Sequence, residues 1–211
     1  GLSSLSIISS LKNLKLHFPR NADSEGILVN SVDSGHLFEV LTEMKQLETL
    51  SLENIKLANS IDQSGARVLA RKVMVGALVK MGNLACLALR HFQHESESFD
   101  PSLDELVSGG LRLKALDVSG NDLSNPMGVR SFIERGLQYL DISNTKVNNI
   151  ATFVVSGSKL KVLNFQGCPL QHQPLDSMRE MYSLRRVVGF TYFSPGSFGI
   201  IGNYLLKFSI D

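Results

Sequence analysis

Residues 113–123 read LKALDVSGNDL, residues 137–147 read LQYLDISNTKV, and residues 160–170 read LKVLNFQGCPL. Laid over one another, the three strings put apolar residues in the same columns: Leu113, Leu116, Val118 and Leu123; Leu137, Leu140, Ile142 and Val147; Leu160, Leu163, Phe165 and Leu170. A further column holds Asn121, Thr145 and Cys168. The copies step by 24 and then 23 residues. Self-similarity at a fixed period of this size marks a chain built by stacking like units, each of which buries its apolar side only against its neighbours.

Weaker copies run towards the N-terminus. Leu84, Leu87 and Leu89 keep the columns with Phe92 in the Asn/Cys position, and Leu47, Leu50, Leu52 and Leu57 keep them with Ile55 there. Leu11, Leu14 and Leu16 begin the pattern before Pro19 breaks it. After the three good copies, Leu184 and Val187 restart it, but Gly189 stands where an apolar residue belongs, as in a terminal capping unit.

This spacing, L-x-x-L-x-L-x-x-N/C-x-L, resembles the leucine-rich-repeat superfamily over roughly residues 11–190. The resemblance implies an α/β leucine-rich-repeat solenoid: a curved arc with a concave parallel sheet and helices on the convex face. It implies one domain over 1–211, with about six to seven repeats and a terminal cap at 184–211. The mixed repeat lengths resemble intracellular members: ubiquitin-ligase substrate receptors, innate-immune sensors and scaffolds. What such a likeness implies is non-enzymatic recognition of a protein partner, and no motif selects among those roles.

The physics of the unit agrees. Alternating apolar residues such as Leu116 and Val118 point to one side of a strand, and stacked strands lie about 4.8 Å apart while helices need about 10 Å. Helices on one side therefore bend the sheet away from them. A side-chain amide at the Asn position has donors and an acceptor for backbone groups at the strand end. Thr145 and Cys168 do this in part, whereas Ile55 and Phe92 lack the groups and predict irregular turns. Longer register steps before Leu113 (36, 37 and 29 residues) leave room for helices, expected over 36–46 and 64–82. Asp100-Pro101 reads as an N-cap followed by proline at the first helical position, with Asn125-Pro126 and Gln173-Pro174 weaker versions. Polar inserts are expected at 18–35 and 91–100, and a closing helix within Ser194–Asp211.

Composition narrows the function. Twenty-one Lys+Arg against 20 Asp+Glu leave a net charge of +1, which argues against a dedicated polyanion binder. Only Cys86 and Cys168 occur, and no asparagine opens an N-x-[ST] acceptor site, so the cytosol or nucleus is expected. There is no run of about 18 apolar residues, hence no expected membrane span. The chain opens on Gly1 without Met or a signal-peptide pattern, as expected of a piece of a longer protein.

Candidate chemistry is sparse. His91 and His94, with Glu95, Glu97 and Asp100, lack zinc-site spacing and read as loop residues, so no metal or cofactor is expected. Gly196, Gly199 and Gly202 match neither a dinucleotide fingerprint nor a P-loop, and no nucleophile elbow occurs, so the chain is expected not to be an enzyme. Two alternatives remain: nucleic-acid binding through Arg67, Arg71, Lys72 and Lys80 with Arg179, Arg185 and Arg186, or an accessory domain of an enzyme.

If the register holds, the solvent side of the sheet is a set of columns. The central one runs Lys15, Ser51, Ala88, Asp117, Asp141, Asn164, Val188; beside it stand Asn13, Thr49, Cys86, Ala115, Tyr139, Val162, Arg186, and on the other side His17, Glu53, Arg90, Ser119, Ser143, Gln166. Tyr139 is the expected anchor, large and tipped with a hydroxyl. Asp117, Asp141 and Glu53 form an expected acidic strip for a basic peptide or domain, with Arg90 at its margin and Asn164 and Gln166 alongside. The competing reading is that the aspartates of LDVS and LDIS only satisfy local backbone groups.

Overall fold

A strand with one apolar side stays folded only if that side is covered and its ladder groups are paired. A computed structural model, which describes residues 10–18, 34–57, 60–61, 67–68, 70–94, 98–170 and 181–189, shows how both conditions are met. In chain order the strands are β1 (Asn13–His17), β2 (Thr49–Glu53), β3 (Lys56–Leu57), β4 (Ser60–Ile61), β5 (Arg67–Val68), β6 (Cys86–Arg90), β7 (Gln93–His94), β8 (Ala115–Asp117), β9 (Tyr139–Asp141), β10 (Val162–Asn164) and β11 (Arg186–Val188). Seven of them form one open sheet in the order β1-β2-β6-β8-β9-β10-β11. All neighbours are parallel, and Leu14, Leu50, Leu87, Leu116, Leu140, Leu163 and Val187 stand opposite one another. The architecture is thus an α/β leucine-rich-repeat solenoid, set by leucines repeating in step.

The outer layer carries α1 (Ser34–Thr42), α2 (Ala70–Lys80), α3 (Asp100–Ser108) and α4 (Met127–Glu134), each packed on the next, then a single 3-10 turn at Ala151–Phe153 against α4. The outer element shortens to this turn in the 23-residue step, although the 24-residue step before it holds the eight-residue α4. One core fills the space between the layers: Leu50, Leu87, Leu116, Leu140 and Leu163 from the sheet meet Phe38, Leu41, Leu78, Leu103, Phe132 and Phe153. Burying a leucine side chain stabilises the fold by about 2 kcal/mol, so each added layer contributes several such increments. Gly128 lets α4 approach α3 closely: a Cβ there would lie 2.7 Å from Leu103 Cβ.

Several expectations need correction. The first helix occupies Ser34–Thr42 instead of 36–46. The second begins at Ala70 rather than 64, and β4 and β5 pair antiparallel ahead of it. Asp100 does not cap its own helix, which starts at it with Phe99 in the cap position. Its carboxylate reaches into the next repeat instead, accepting from the Ser124 amide (3.1 Å) and the Asn125 amide (3.0 Å). Asn125-Pro126 is also displaced by one: Pro126, not Asn125, holds the cap position of α4, and Asn125 Oδ1, one residue earlier, accepts from Met127 N at 3.1 Å.

The turns at Ile55 and Phe92 are not irregular in their backbone. The residue before the Asn/Cys position is left-handed in every described repeat from β2 to β10: Asn54 (φ 60), His91 (φ 51), Gly120 (φ 70), Asn144 (φ 55) and Gly167 (φ 74). Asparagine, histidine and glycine are residue types that enter this region at low cost. The ladder continues through these residues, with His91 N donating to Ser119 O (3.1 Å) and Gly120 N to Ser143 O (2.8 Å). Ile55 and Phe92 fill the turn with buried apolar bulk, and β3 adds a short parallel pairing with β7.

What the missing amide at Phe92 would have done is supplied by the following repeat. Asn121, 3% exposed, accepts from Phe92 N (2.7 Å) and donates Nδ2 to Leu89 O (2.6 Å) and Val118 O (2.8 Å). Thr145 Oγ1 donates to Ile142 O (2.8 Å), and Cys168 Sγ donates to the same oxygen (3.1 Å), so each does part of this work. No helix among the described residues is long and apolar enough to cross a membrane. The expected closing helix within 194–211, residues 190–211 of the cap, Gly196, Gly199 and Gly202, Gln173-Pro174, Arg179, Glu95 and Glu97, most of the 18–35 insert, and the side chains of Arg67 and His94 lie outside what is described.

Candidate protein-binding face

Every second residue of the seven strands points away from the helices, so the register alone builds a broad face on the concave side. The columns fall where the spacing put them: Thr49, Cys86, Ala115, Tyr139, Val162 and Arg186 stand side by side, as do Lys15, Ser51, Ala88, Asp117, Asp141, Asn164 and Val188. Glu53 is paired with Arg90 in register, and the third column runs on through Ser119, Ser143 and Gln166.

Tyr139 is the large side chain that stands up from this face, 37% exposed. Its neighbours in the column are small or half-buried: Ala115 and Cys86 on one side, Val162 on the other. The hydroxyl donates to Asp141 Oδ2 over 3.4 Å. Desolvation first, then the charges of Asp141 and Asp117, push the phenol above its ordinary range, so it remains a donor at neutral pH.

The acidic strip is less open than the spacing implied. Asp117 and Asp141 are only 6% and 8% exposed. One oxygen of each fixes its own loop: Asp117 Oδ1 accepts from Ser119 N (3.1 Å), and Asp141 Oδ1 from Ser143 N (2.9 Å) and Ser143 Oγ (2.7 Å). Asn164 repeats the turn with Gln166 N (3.1 Å). Ser119 and Ser143 are buried against these side chains instead of facing solvent. The second oxygens reach across strands, Asp117 Oδ2 to Arg90 Nε and Asp141 Oδ2 to Asn164 Nδ2 (2.8 Å).

Arg90 therefore sits inside the network rather than at its margin. It faces Asp117 directly and lies 3.9 Å from Glu53. Desolvation would lower its pKa, but the Asp117 bond and the charges of Asp117, Glu53 and Asp141 raise it above its ordinary value. Glu53 also lies 3.3 Å from His17 Nδ1. Against a desolvation that would raise it, His17, Arg90 and His91 hold its carboxyl below the usual glutamate value. Glu53 and Asp117 lie against one guanidinium, and Asp141 acts on it only through its charge, so with three carboxylates to one cation the centre of the face remains net anionic. Gln166 is exposed at the edge.

Among the described residues, those read as a basic surface do not assemble into one. Arg71 is bridged to Glu105 of α3 at 3.1 Å. Lys72 and Lys80 are exposed on α2, at the far side of the sheet from Arg185 and Arg186. Among the described residues, no group of three or more His, Cys, Asp or Glu is placed to hold a metal ion. The small-residue floor of Cys86, Ala88 and Ala115 was given its columns by the spacing but not its place beside the anchor; the signal is small side chains next to the one large residue in the same register.

No family model matches the chain, and no curated protein matches it. Among solved structures, a leucine-rich-repeat protein of Leptospira interrogans is similar at 17% identity and a TM-score of 0.44, over 99% of this chain and 62% of that one. An internalin of Listeria monocytogenes is similar at 14% identity and a TM-score of 0.45, over 90% of this chain and 58% of that one. The chain thus spans less than two thirds of either protein. The fold assignment rests on the sheet register, not on these likenesses.

Proposed function

We propose that the chain is a non-enzymatic recognition module of a larger protein of the cytosol or nucleus, which binds a protein partner on its concave face through Tyr139 and its surroundings. The observation that carries this reading is Tyr139 itself: an exposed aromatic whose hydroxyl lies 3.4 Å from Asp141, raised over small neighbours on a parallel sheet. Such an anchor offers large contact area at small entropic cost. The anionic balance of Glu53, Asp117 and Asp141 against Arg90 supports a partner with basic groups. Asn164 and Gln166 act at the rim, Asn164 mainly by holding Asp141. An open face suits binding better than catalysis, which needs reacting groups held around an enclosed substrate. Two half-buried free thiols and the absence of N-x-[ST] sites support the intracellular setting. Substrate receptor, immune sensor and scaffold all use such a face, and nothing specific favours one of them.

The test compares proteins that co-purify with the wild-type chain, with Tyr139→Ala, with Val162→Glu, and with a convex-face control carrying Lys72→Glu and Lys80→Glu. Partners should be lost from the first two variants and kept by the control. The reverse pattern would move the interface to the helices. Asp141 is unsuitable for this purpose, because its carboxylate holds the Ser143 loop.

A further inference from the structure

The concave face has two adjoining parts. Thr49, Cys86 and Ala115 lie side by side on β2, β6 and β8 and make a row of small side chains, ended on β9 by the ring of Tyr139. One column over, in the same layer, stand Asp117 and Asp141, with Glu53 beyond Arg90. Columns within a strand are two residues apart, about 7 Å. An extended segment presents side chains on one face at the same interval, so a segment lying along the strands keeps step with the columns. The row of small residues leaves space for an apolar side chain against the tyrosine ring. The next column is anionic, whereas at the β1 end of the sheet it carries the exposed Lys15. A cation is therefore attracted to the middle of the face rather than to that end.

We propose that the face takes an extended segment of its protein partner bearing an apolar residue and, two positions away, a lysine or arginine; this rests on the concave-face reading above. The apolar side chain packs over Cys86 and Ala115 against Tyr139. The cation lies beside the Tyr139 ring, in the field of Asp117 and Asp141, where the ring face adds attraction of its own.

The probe is a displayed library of random ten-residue peptides selected on the immobilised chain, with selected peptides resynthesised and their Kd measured by fluorescence anisotropy. Selected sequences should share an apolar residue and a Lys or Arg two positions apart, in either order. Replacing the cation by glutamine, or moving it by one position, should weaken binding about tenfold or more, and so should Tyr139→Ala or Ala115→Phe in the chain. Far-ultraviolet circular dichroism and the unfolding midpoint of each variant separate lost binding from lost folding. Peptides that depend on Tyr139 but tolerate loss or displacement of the cation would overturn this inference and leave the concave-face reading standing. A selection yielding no Tyr139-dependent peptide would overturn both.

Discussion

Replacing Asn121 with alanine tests the joint between repeats, because a single side chain there serves three backbone groups from two repeats. The amide is buried and makes bonds of 2.7, 2.6 and 2.8 Å to Phe92 N, Leu89 O and Val118 O. Alanine strips all three groups of this partner where water cannot replace it. Leaving a buried polar group unsatisfied costs about 1–3 kcal/mol. The carbonyls have a second lone pair that ladder bonds can use, so the low end applies to each, and the sum is about 3 kcal/mol. For a chain of this size that lowers Tm by about 6–12 °C. Thr145→Ala removes one short bond, 2.8 Å to Ile142 O, with longer contacts to Cys168 Sγ (3.4 Å) and Val147 N (3.5 Å), and should cost about 1 kcal/mol. The assay is urea unfolding followed by circular dichroism, with amide hydrogen exchange read at Phe92. That amide should be protected in the wild type and exchange far faster in Asn121→Ala. The reasoning is refuted if Asn121→Ala unfolds within about 0.5 kcal/mol of the wild type, the range of ordinary surface changes, or if Phe92 keeps its protection.

Two further outcomes follow from the geometry. Gly128→Ala puts a Cβ 2.7 Å from Leu103 Cβ and 2.9 Å from Asp104 Oδ1, so α4 must shift from α3; we expect a loss of about 1–3 kcal/mol, measured by the denaturant midpoint, although alanine is the better helix former. Glu53 titrates below its ordinary value of 4.5 in the folded chain, so its contribution is present above that value and disappears as pH falls through the lower folded one. Stability followed from about pH 6 to about pH 3 should therefore fall less steeply in Glu53→Gln than in the wild type; parallel curves would deny the carboxylate its interactions with His17 and Arg90.

The repeat, the parallel sheet and its register were legible because they depend on one quantity, the spacing of leucines, which a linear string displays directly. Leu116, Leu140 and Leu163 announce their alignment without reference to anything between them. The columns of the concave face followed at once from the two-residue period. Burial of Asp117 and Asp141 was not legible, because it depends on which side chains lie across strands: Arg90 is 27 residues from Asp117, and Asn164 is 23 from Asp141. The turns at Ile55 and Phe92 were misread for a related reason. The spacing displays only an amide within its own repeat, while the acceptor for Phe92 N comes from Asn121, 29 residues on, and the left-handed residue one position earlier keeps the turn regular. The same displacement explains Asp100, whose carboxylate serves residues 24 and 25 positions later. In a stacked chain, polar side chains act on the neighbouring layer as readily as on their own.

The central claim concerns which face meets the partner, and the chain carries its own reporters there. Ala88, Ala115, Val162 and Val188 place methyl groups along the concave columns, whereas Val73, Ala77 and Val79 lie on α2. Methyl-selective NMR during titration with a Tyr139-dependent partner should shift or broaden the first set and leave the second unmoved. Shifts confined to the α2 methyls, with the sheet methyls unchanged at saturation, would contradict the account.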